Sequence, residues 1–417
     1  MKQYPFPDSR HAKILFVLFL LGLLLLARDT LITTCLLGFY RSQLLLLGLM
    51  LAAGGAFLIR NRHRLKEIVT DSRMLLAAVG CGAILLPMLV KRDWQMMYFS
   101  VLLCVLFGVF VSYFTDVSRV SRVYVLVLTG LSLYSLLVAF VLRPLTDGGV
   151  LSVPVFYNSN DIDFYNYGLG FSSVKFVKNR NFGIFREPGV YQYFLLLAIF
   201  LNNYTVKWEK NLRMWLVNGI LALTMLSTFA TGGVIELGLL AIVMFFDKKW
   251  YRDRKIRTGA IVLALALSAA AAGILLQGGA LSRELTAMVT KFVTNPESTG
   301  ARMNSILVDT ALFFRHPLFG GGLADILHVI RDNTTSTMLM FSIFGILGGC
   351  LHVAGWVALV WSRERKIWAN LAILVILFMS FNTQNLIADV FFWLLPMMAL
   401  AEKGIPFVYR RTMVQKG

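Results

Sequence analysis

Gly232-Gly233-Val234-Ile235-Glu236-Leu237-Gly238-Leu239-Leu240-Ala241-Ile242-Val243-Met244-Phe245-Phe246 runs straight into Asp247-Lys248-Lys249-Trp250-Tyr251-Arg252-Asp253-Arg254-Lys255-Ile256-Arg257. The first stretch is apolar apart from Glu236. The second packs six Lys and Arg into eleven residues. An apolar run that ends in a dense basic cluster reads as a membrane span delivered to the cytoplasm, because cytoplasmic loops collect Lys and Arg.

Working outward, similar apolar runs occur near 14–27, 43–59, 74–90, 96–114, 123–142, 188–204, 214–229, 259–276, 337–361, 367–382 and 387–400. With 232–246 they predict an all-α polytopic membrane bundle of about twelve transmembrane helices, the shorter ones tilted or half-inserted. The segment 29–42 is a candidate re-entrant turn. Composition agrees: 58% hydrophobic, 15% charged and a mean hydropathy of +0.71 require lipid as the solvent for much of the surface. Lys2, Arg10 and Lys13 precede Ile14–Ala27 like a signal peptide. Arg28-Asp29 follows with no small-x-small cleavage site, so this run is expected to stay as the first span. No internal repeat, heptad or separate soluble domain is visible, and residues 1–417 read as one integral membrane domain.

The net charge of +18 could signal nucleic-acid binding, but topology accounts for it better. With the N-terminus inside, 26 of the 40 Lys and Arg fall in the inner segments, at about three times the density of the outer loops. An even number of spans returns the C-terminus, with Arg410 and Arg411, to the same side. No nucleic-acid partner is expected; the bilayer is.

The two longest polar loops, 143–187 and 277–336, then both face outward, and each is close to charge-neutral. The arginines that remain outside need a separate reason. Arg186 and Glu187 come directly before Pro188, a favoured first residue of a helix, so they sit at the mouth of the sixth span. A helix start with an arginine beside it is an anion site, and arginine suits pyrophosphate by paired hydrogen bonds. The second loop offers Arg302, Arg315, His316 and Gly320-Gly321-Gly322. The glycines permit a tight turn or a close approach of backbone to ligand. Histidine can move a proton or bind phosphate. Asn333, after Arg331-Asp332, leads into the tenth span and joins the candidate binding residues.

Glu236 and Asp389 fall within predicted spans, where an ionisable side chain is expensive and tends to face a cavity or a partner. Glu236 is a further candidate binding residue; His352 reads as a packed histidine. The first loop is rich in Tyr, Phe and Asn, which suits either sugar contact or an interfacial aromatic belt. Asp161-Ile162-Asp163 has the form that holds Mg²⁺ on nucleotide sugars, but it lies outside, where such donors are absent. Cys35, Cys81, Cys104 and Cys350 sit in apolar stretches at no metal-like spacing, and neither a disulfide nor a metal site is expected. No Walker A, Rossmann, HExxH or GxSxG motif occurs.

On these residues the chain resembles the bacterial O-antigen ligase and polymerase superfamily, and most of all the Wzy-type O-antigen or capsular polysaccharide polymerases. The layout matches over nearly the whole chain: about a dozen spans, termini inside, two large periplasmic loops. Phe182-Gly183-Ile184-Phe185-Arg186-Glu187-Pro188-Gly189 is similar to the family's arginine motif closing its first large loop. Thr299-Gly300-Ala301-Arg302, followed by His316-Pro317-Leu318-Phe319-Gly320-Gly321-Gly322, looks like its second-loop pattern.

The resemblance implies a metal-independent, GT-C-like glycosyltransferase of the cytoplasmic (inner) membrane, with no cofactor. Its donor would be an undecaprenyl-diphosphate-linked oligosaccharide and its acceptor another lipid-linked repeat unit. A chain-length regulator is a candidate partner. Arg186 and Arg302 would stabilise the leaving diphosphate, with Glu187 or His316 as the base. Ligases of the superfamily usually carry a histidine just before the next span. Here that stretch reads Arg331-Asp332-Asn333-Thr334-Thr335, with His328 displaced, which favours polymerase over ligase. A flippase for the same lipid-linked glycan is the reading from another class. Transporters often show paired halves, and none is seen.

Overall fold

Each of the twelve apolar runs is helical in the computed structural model, as a chain in lipid must be to satisfy its own backbone. The described residues are 10–403 apart from 61, 63–64, 158–161, 176–179, 280–281, 284–285, 287–289, 291–295 and 331–332. The helices are Arg10–Leu25, Phe39–Arg60, Ser72–Lys91, Met96–Val111, Val117–Leu137, Pro188–Tyr204, Asn211–Ser227, Thr231–Asp247, Arg254–Gln277, Thr337–Val360, Ile367–Phe381 and Val390–Lys403. Among the described residues, three helical stretches are long and apolar enough to cross a membrane: Ser72–Lys91, Val117–Asp147 and Thr337–Val360. His11–Leu25, Met96–Val111 and Ile367–Phe381 are apolar but shorter. Leu75, Leu133 and Val375 stand more than half exposed on the outside of the bundle, a surface suited to lipid.

Aspartates start several helices. The Asp71 side chain accepts from Arg73 N–H, Asp116 from Arg119 N–H and Asp253 from Lys255 N–H, each using one of the orphan amides of a first turn. Pro188–Tyr204 and Val390–Lys403 form the centre, buried along nearly their whole length. Met96–Val111 approaches Val390–Lys403 closely at Gly108, where a Cβ would come within 2.7 Å of Met397 Cβ. Asp389 is not inside a helix: it sits just before Val390, fully buried, and its carboxylate accepts from Phe391 N–H.

Among the described residues, both long loops carry regular structure. The first departs from the all-α expectation with a three-stranded antiparallel sheet: β1 (Val155–Tyr157), β2 (Asp163–Asn166) and β3 (Phe171–Ser173), in that order. Short alternating aromatic runs favour strands, and here tertiary packing confirms them. Arg143 ties the sheet to the end of the Val117–Leu137 helix, pairing with Asp147 at 2.8 Å and donating to Ser172 and to the Ser173 carbonyl. Phe164 and Phe171 from the sheet, Phe182 and Leu31 make a separate small core. Asp163 belongs to β2; Asp161 lies outside the described residues, so the Asp161–Asp163 pair is not placed.

The second loop holds a long helix, Pro296–Arg315, and a short one, Leu323–Val329. Between them the 316–322 turn docks into a break in the Thr337–Val360 helix. Gly345 there has φ 64° and ψ −160°. In an unbroken helix Ile346 N–H would donate to the Ser342 carbonyl. Instead Ile346 N–H donates to the Pro317 carbonyl at 2.8 Å, and the Ser342 carbonyl accepts from Gly321 N–H at 2.7 Å. The segment 29–42, the candidate re-entrant turn, holds a helical turn, Ile32–Leu37, and the start of the Phe39–Arg60 helix.

Candidate functional site

The motif around Arg186 works as a bracket for that one side chain. Phe182 enters the small core beneath the sheet. Gly183 has φ 57°, and a Cβ there would meet the Tyr191 ring at 2.7 Å, so only glycine fits the turn. Phe185 stacks on Phe194 with centroids 4.4 Å apart. The backbone on either side pairs with the chain after the first helix: Leu31 N–H donates to the Ile184 carbonyl and Arg186 N–H to the Asp29 carbonyl. Pro188 is the first helical residue and Glu187 occupies the capping position, as its place before a proline predicts. Arg186 Nε lies 2.8 Å from Asp29 Oδ1, with Asp29 buried and Arg186 about one-third exposed. Glu187 is half-exposed, 3.7 Å from the Arg186 guanidinium.

Arg302 lies near the start of the Pro296–Arg315 helix. Its inward neighbours on that face, Ser305 and Asp309, hold the extended segment 333–335 that follows the short helix. Thr334 donates to Ser305, while Asn333 donates to Asp309 at 2.8 Å. Thr335 and Ser342 hydroxyls also donate to Asp309. Burial pushes the Asp309 carboxyl above its ordinary value, although these hydrogen bonds pull the other way. The network fixes Asn333 and Thr334 beside Arg302.

These pieces meet. A cavity of about 840 Å³ is lined by Arg28, Arg186, Glu187, Arg302, Asn333 and Thr334, with Gln95, Gln384 and Asn385 as further polar groups and Met96, Leu327 and Tyr40 among the apolar ones. Arg186 and Arg302, 116 residues apart in sequence, share one chamber. Arg28 is the member that sequence reading missed. Its signal was weak but present: a basic residue just after an apolar run, in a segment that the charge count assigns to the outer side.

Six sequence candidates fall elsewhere. Arg315 and His316 are exposed and do not line the cavity. Gly320, Gly321 and Gly322 face the protein and do not line the cavity: a Cβ on Gly320 would collide with the Ile343 carbonyl group, Gly321 N–H pairs with the Ser342 carbonyl, and Gly322 lies against the Asp93 and Tyr98 side chains. Gly322 also leads into an anchor, where Asp93 accepts from Leu323 N–H at 2.7 Å, Ala324 N–H at 2.9 Å and Tyr98 O–H at 3.0 Å. Leu323, Ile326 and Leu327 thereby become cavity wall. Glu236 is buried behind the cavity, within electrostatic reach of Arg302, and does not line it. His352 is wholly buried among Trp356, Phe381, Phe392 and Trp393, a packed histidine as expected.

Three arginines against one glutamate in the lining, with Asp29 behind Arg186, leave the chamber cation-rich and suited to an anionic ligand. Among the described residues no group of three or more His, Cys, Asp or Glu side chains is arranged to hold a metal ion. No protein-family model, curated protein or solved structure matches the chain.

Proposed function

We propose that this protein is a polysaccharide polymerase of the Wzy type. In this reading it is a GT-C-like bundle of about twelve spans in the bacterial inner membrane, both termini cytoplasmic. It transfers glycan from undecaprenyl diphosphate onto a lipid-linked repeat unit at the outer face. The observation that carries this is the convergence of Arg28, Arg186 and Arg302 on one cavity from three separate stretches of chain. A cavity at the ends of membrane helices suits a substrate whose tail stays in the bilayer.

The chemistry follows from the lining. The acceptor sugar's hydroxyl oxygen attacks the donor's anomeric carbon and forms the new glycosidic bond. The bond from that carbon to the diphosphate oxygen breaks, and the electron pair leaves with the diphosphate. Arg28, Arg186 and Arg302 meet the charge that develops there, which is where preorganised donors contribute most. The hydroxyl proton passes to Glu187, the carboxylate that lines the cavity; His316 stands outside it. Glu236 acts behind Arg302 as a positioning residue.

The test is the surface glycan of a strain lacking the gene. Single repeat units on the surface glycolipid, restored to long chains by the wild-type gene but not by Arg186→Ala at equal membrane abundance, are the expected result. Long polymer accumulating on the carrier would instead mean a ligase, and repeat units trapped inside the cell a flippase.

A further inference from the structure

The Pro296–Arg315 helix is amphipathic in the reverse sense for a helix in water. At 100° per residue, Arg302, Ser305 and Asp309 fall on one face, and that face, with Leu312 and Phe313, is turned into the protein. Met303, Leu307 and Phe314 fall on the opposite face and are 56, 60 and 73% exposed. Leu318, in the turn beyond, is 63% exposed. An apolar stripe this exposed requires a partner that is not water.

Two features of the structure say what that partner is. The stripe ends where the Pro317 carbonyl accepts from Ile346 N–H. Ile346 and Leu347 are themselves 44 and 45% exposed, on the outside of a helix long enough to cross a membrane. Phe313 packs edge-on against Phe341 of that same helix, centroids 5.3 Å apart, which seats the two helices side by side. The second feature is the flank. Arg315 and His316, exposed and absent from the cavity, lie at the end of the stripe. Long basic side chains placed there keep their charge at headgroup level while their stems cover apolar surface.

We infer that the Pro296–Arg315 helix is an interfacial helix: its Met303–Leu307–Phe314 stripe and Leu318 sit in the acyl-chain boundary of the outer leaflet, with Arg315 and His316 on lipid phosphates. This goes beyond the transferase reading and does not depend on it. The lipid surface then fixes the height of Arg302, one residue from the stripe, relative to the bilayer.

The experiment uses the full chain in phospholipid vesicles. A membrane-partitioned diazirine reagent is photolysed with the wild-type protein, and the adducts are mapped by mass spectrometry. Adducts on Met303, Leu307 or Phe314, at a yield comparable to those on Leu75 and Leu133, are expected. Labelling of Leu75 and Leu133 without labelling of the stripe would overturn the inference. As a second measurement, nitroxides are placed by Leu307→Cys, Phe314→Cys and Asn304→Cys in protein whose Cys35, Cys81, Cys104 and Cys350 are replaced by Ser. Collision with oxygen over a water-soluble nickel chelate should be several-fold higher at 307 and 314 than at 304. Equal nickel access at all three, or protection of 307 and 314 from both relaxants as under a protein partner, would also overturn it. Loss of polymer synthesis alone bears on the transferase reading and not on this one.

Discussion

Arg186 is held by Asp29: Nε and Oδ1 are 2.8 Å apart, and the Arg186 amide donates to the carbonyl of that same residue. A buried carboxylate thus aims a guanidinium from the far side of the sequence, next to Arg28, which lines the same cavity. We expect Asp29→Asn to lower chain extension roughly tenfold to hundredfold through misplacement of Arg186, as small errors in aim cost that much in a preorganised site. Glycan length profiles at matched protein level check this. Wild-type profiles from Asp29→Asn would mean that the pair only ties two segments together.

Arg302→Ala should remove one charge-stabilising donor, at a cost on the order of a hundredfold to a thousandfold in rate. Arg302→Lys should recover little of it, because an ammonium keeps the charge but not the planar fork that matches a diphosphate. Initial rates with purified lipid-linked donor give both numbers. Full rescue by lysine would show that charge alone is needed at this position.

Much of this was legible in the sequence. Each of the twelve apolar runs is helical among the described residues, since lipid leaves an apolar chain little choice but to close its own hydrogen bonds. Arg186, Glu187, Arg302 and Asn333 were singled out from residue type and place, and all four line the cavity. Tertiary relationships were less visible. The Gly320–Gly322 turn has the composition of a ligand loop, yet its close approach is to the broken helix at Gly345. Nothing local tells a glycine that admits a ligand from one that admits a neighbouring backbone. Arg28 carried only a weak local signal, a basic residue after an apolar run; its place in the cavity comes from the 29–31 and 184–186 backbone pairing, a long-range contact without sequence periodicity. His316 was drawn in by its neighbours in the motif and faces away from the cavity.

Gly345→Ala places a side chain at φ 64°, where the Leu318 carbonyl group already sits. The left-handed backbone alone costs a residue with a Cβ roughly 1–3 kcal/mol, and the clash adds to it. The expected outcome is a lower unfolding temperature in detergent and loss of the 317–346 and 321–342 hydrogen bonds. Hydrogen exchange reports the second effect directly: the Gly321 and Ile346 amides should lose protection before the amides of Val390–Lys403 do. Unchanged protection at both would mean the turn does not depend on the kink.

Chelation should leave the activity unchanged. The cavity presents three guanidinium groups and one carboxylate, a donor set that repels a divalent cation. Polymer yield with and without EDTA decides the matter. Loss on chelation, recovered by added Mg²⁺, would return attention to Asp161 and Asp163.

Asp309 gives a pH signature. Its carboxyl is buried beside the cavity wall, and burial raises its pKa above the ordinary 3.8 despite three donors. A carboxyl raised in the folded state stabilises the fold fully at pH below its unfolded value, and that contribution is lost as pH climbs through the folded one. The wild-type protein should therefore lose part of its stability as pH rises from about 4. Asp309→Asn has no charge to bury and should flatten that slope. It also replaces one acceptor oxygen by a donor facing Asn333 and Thr335, so Asn333 should loosen and chain extension should fall even where the fold is firm. Unfolding temperatures of both proteins across the pH series, alongside polymer length at neutral pH, separate the two effects. Parallel slopes would show that Asp309 ionises as freely in the folded protein as in the unfolded chain.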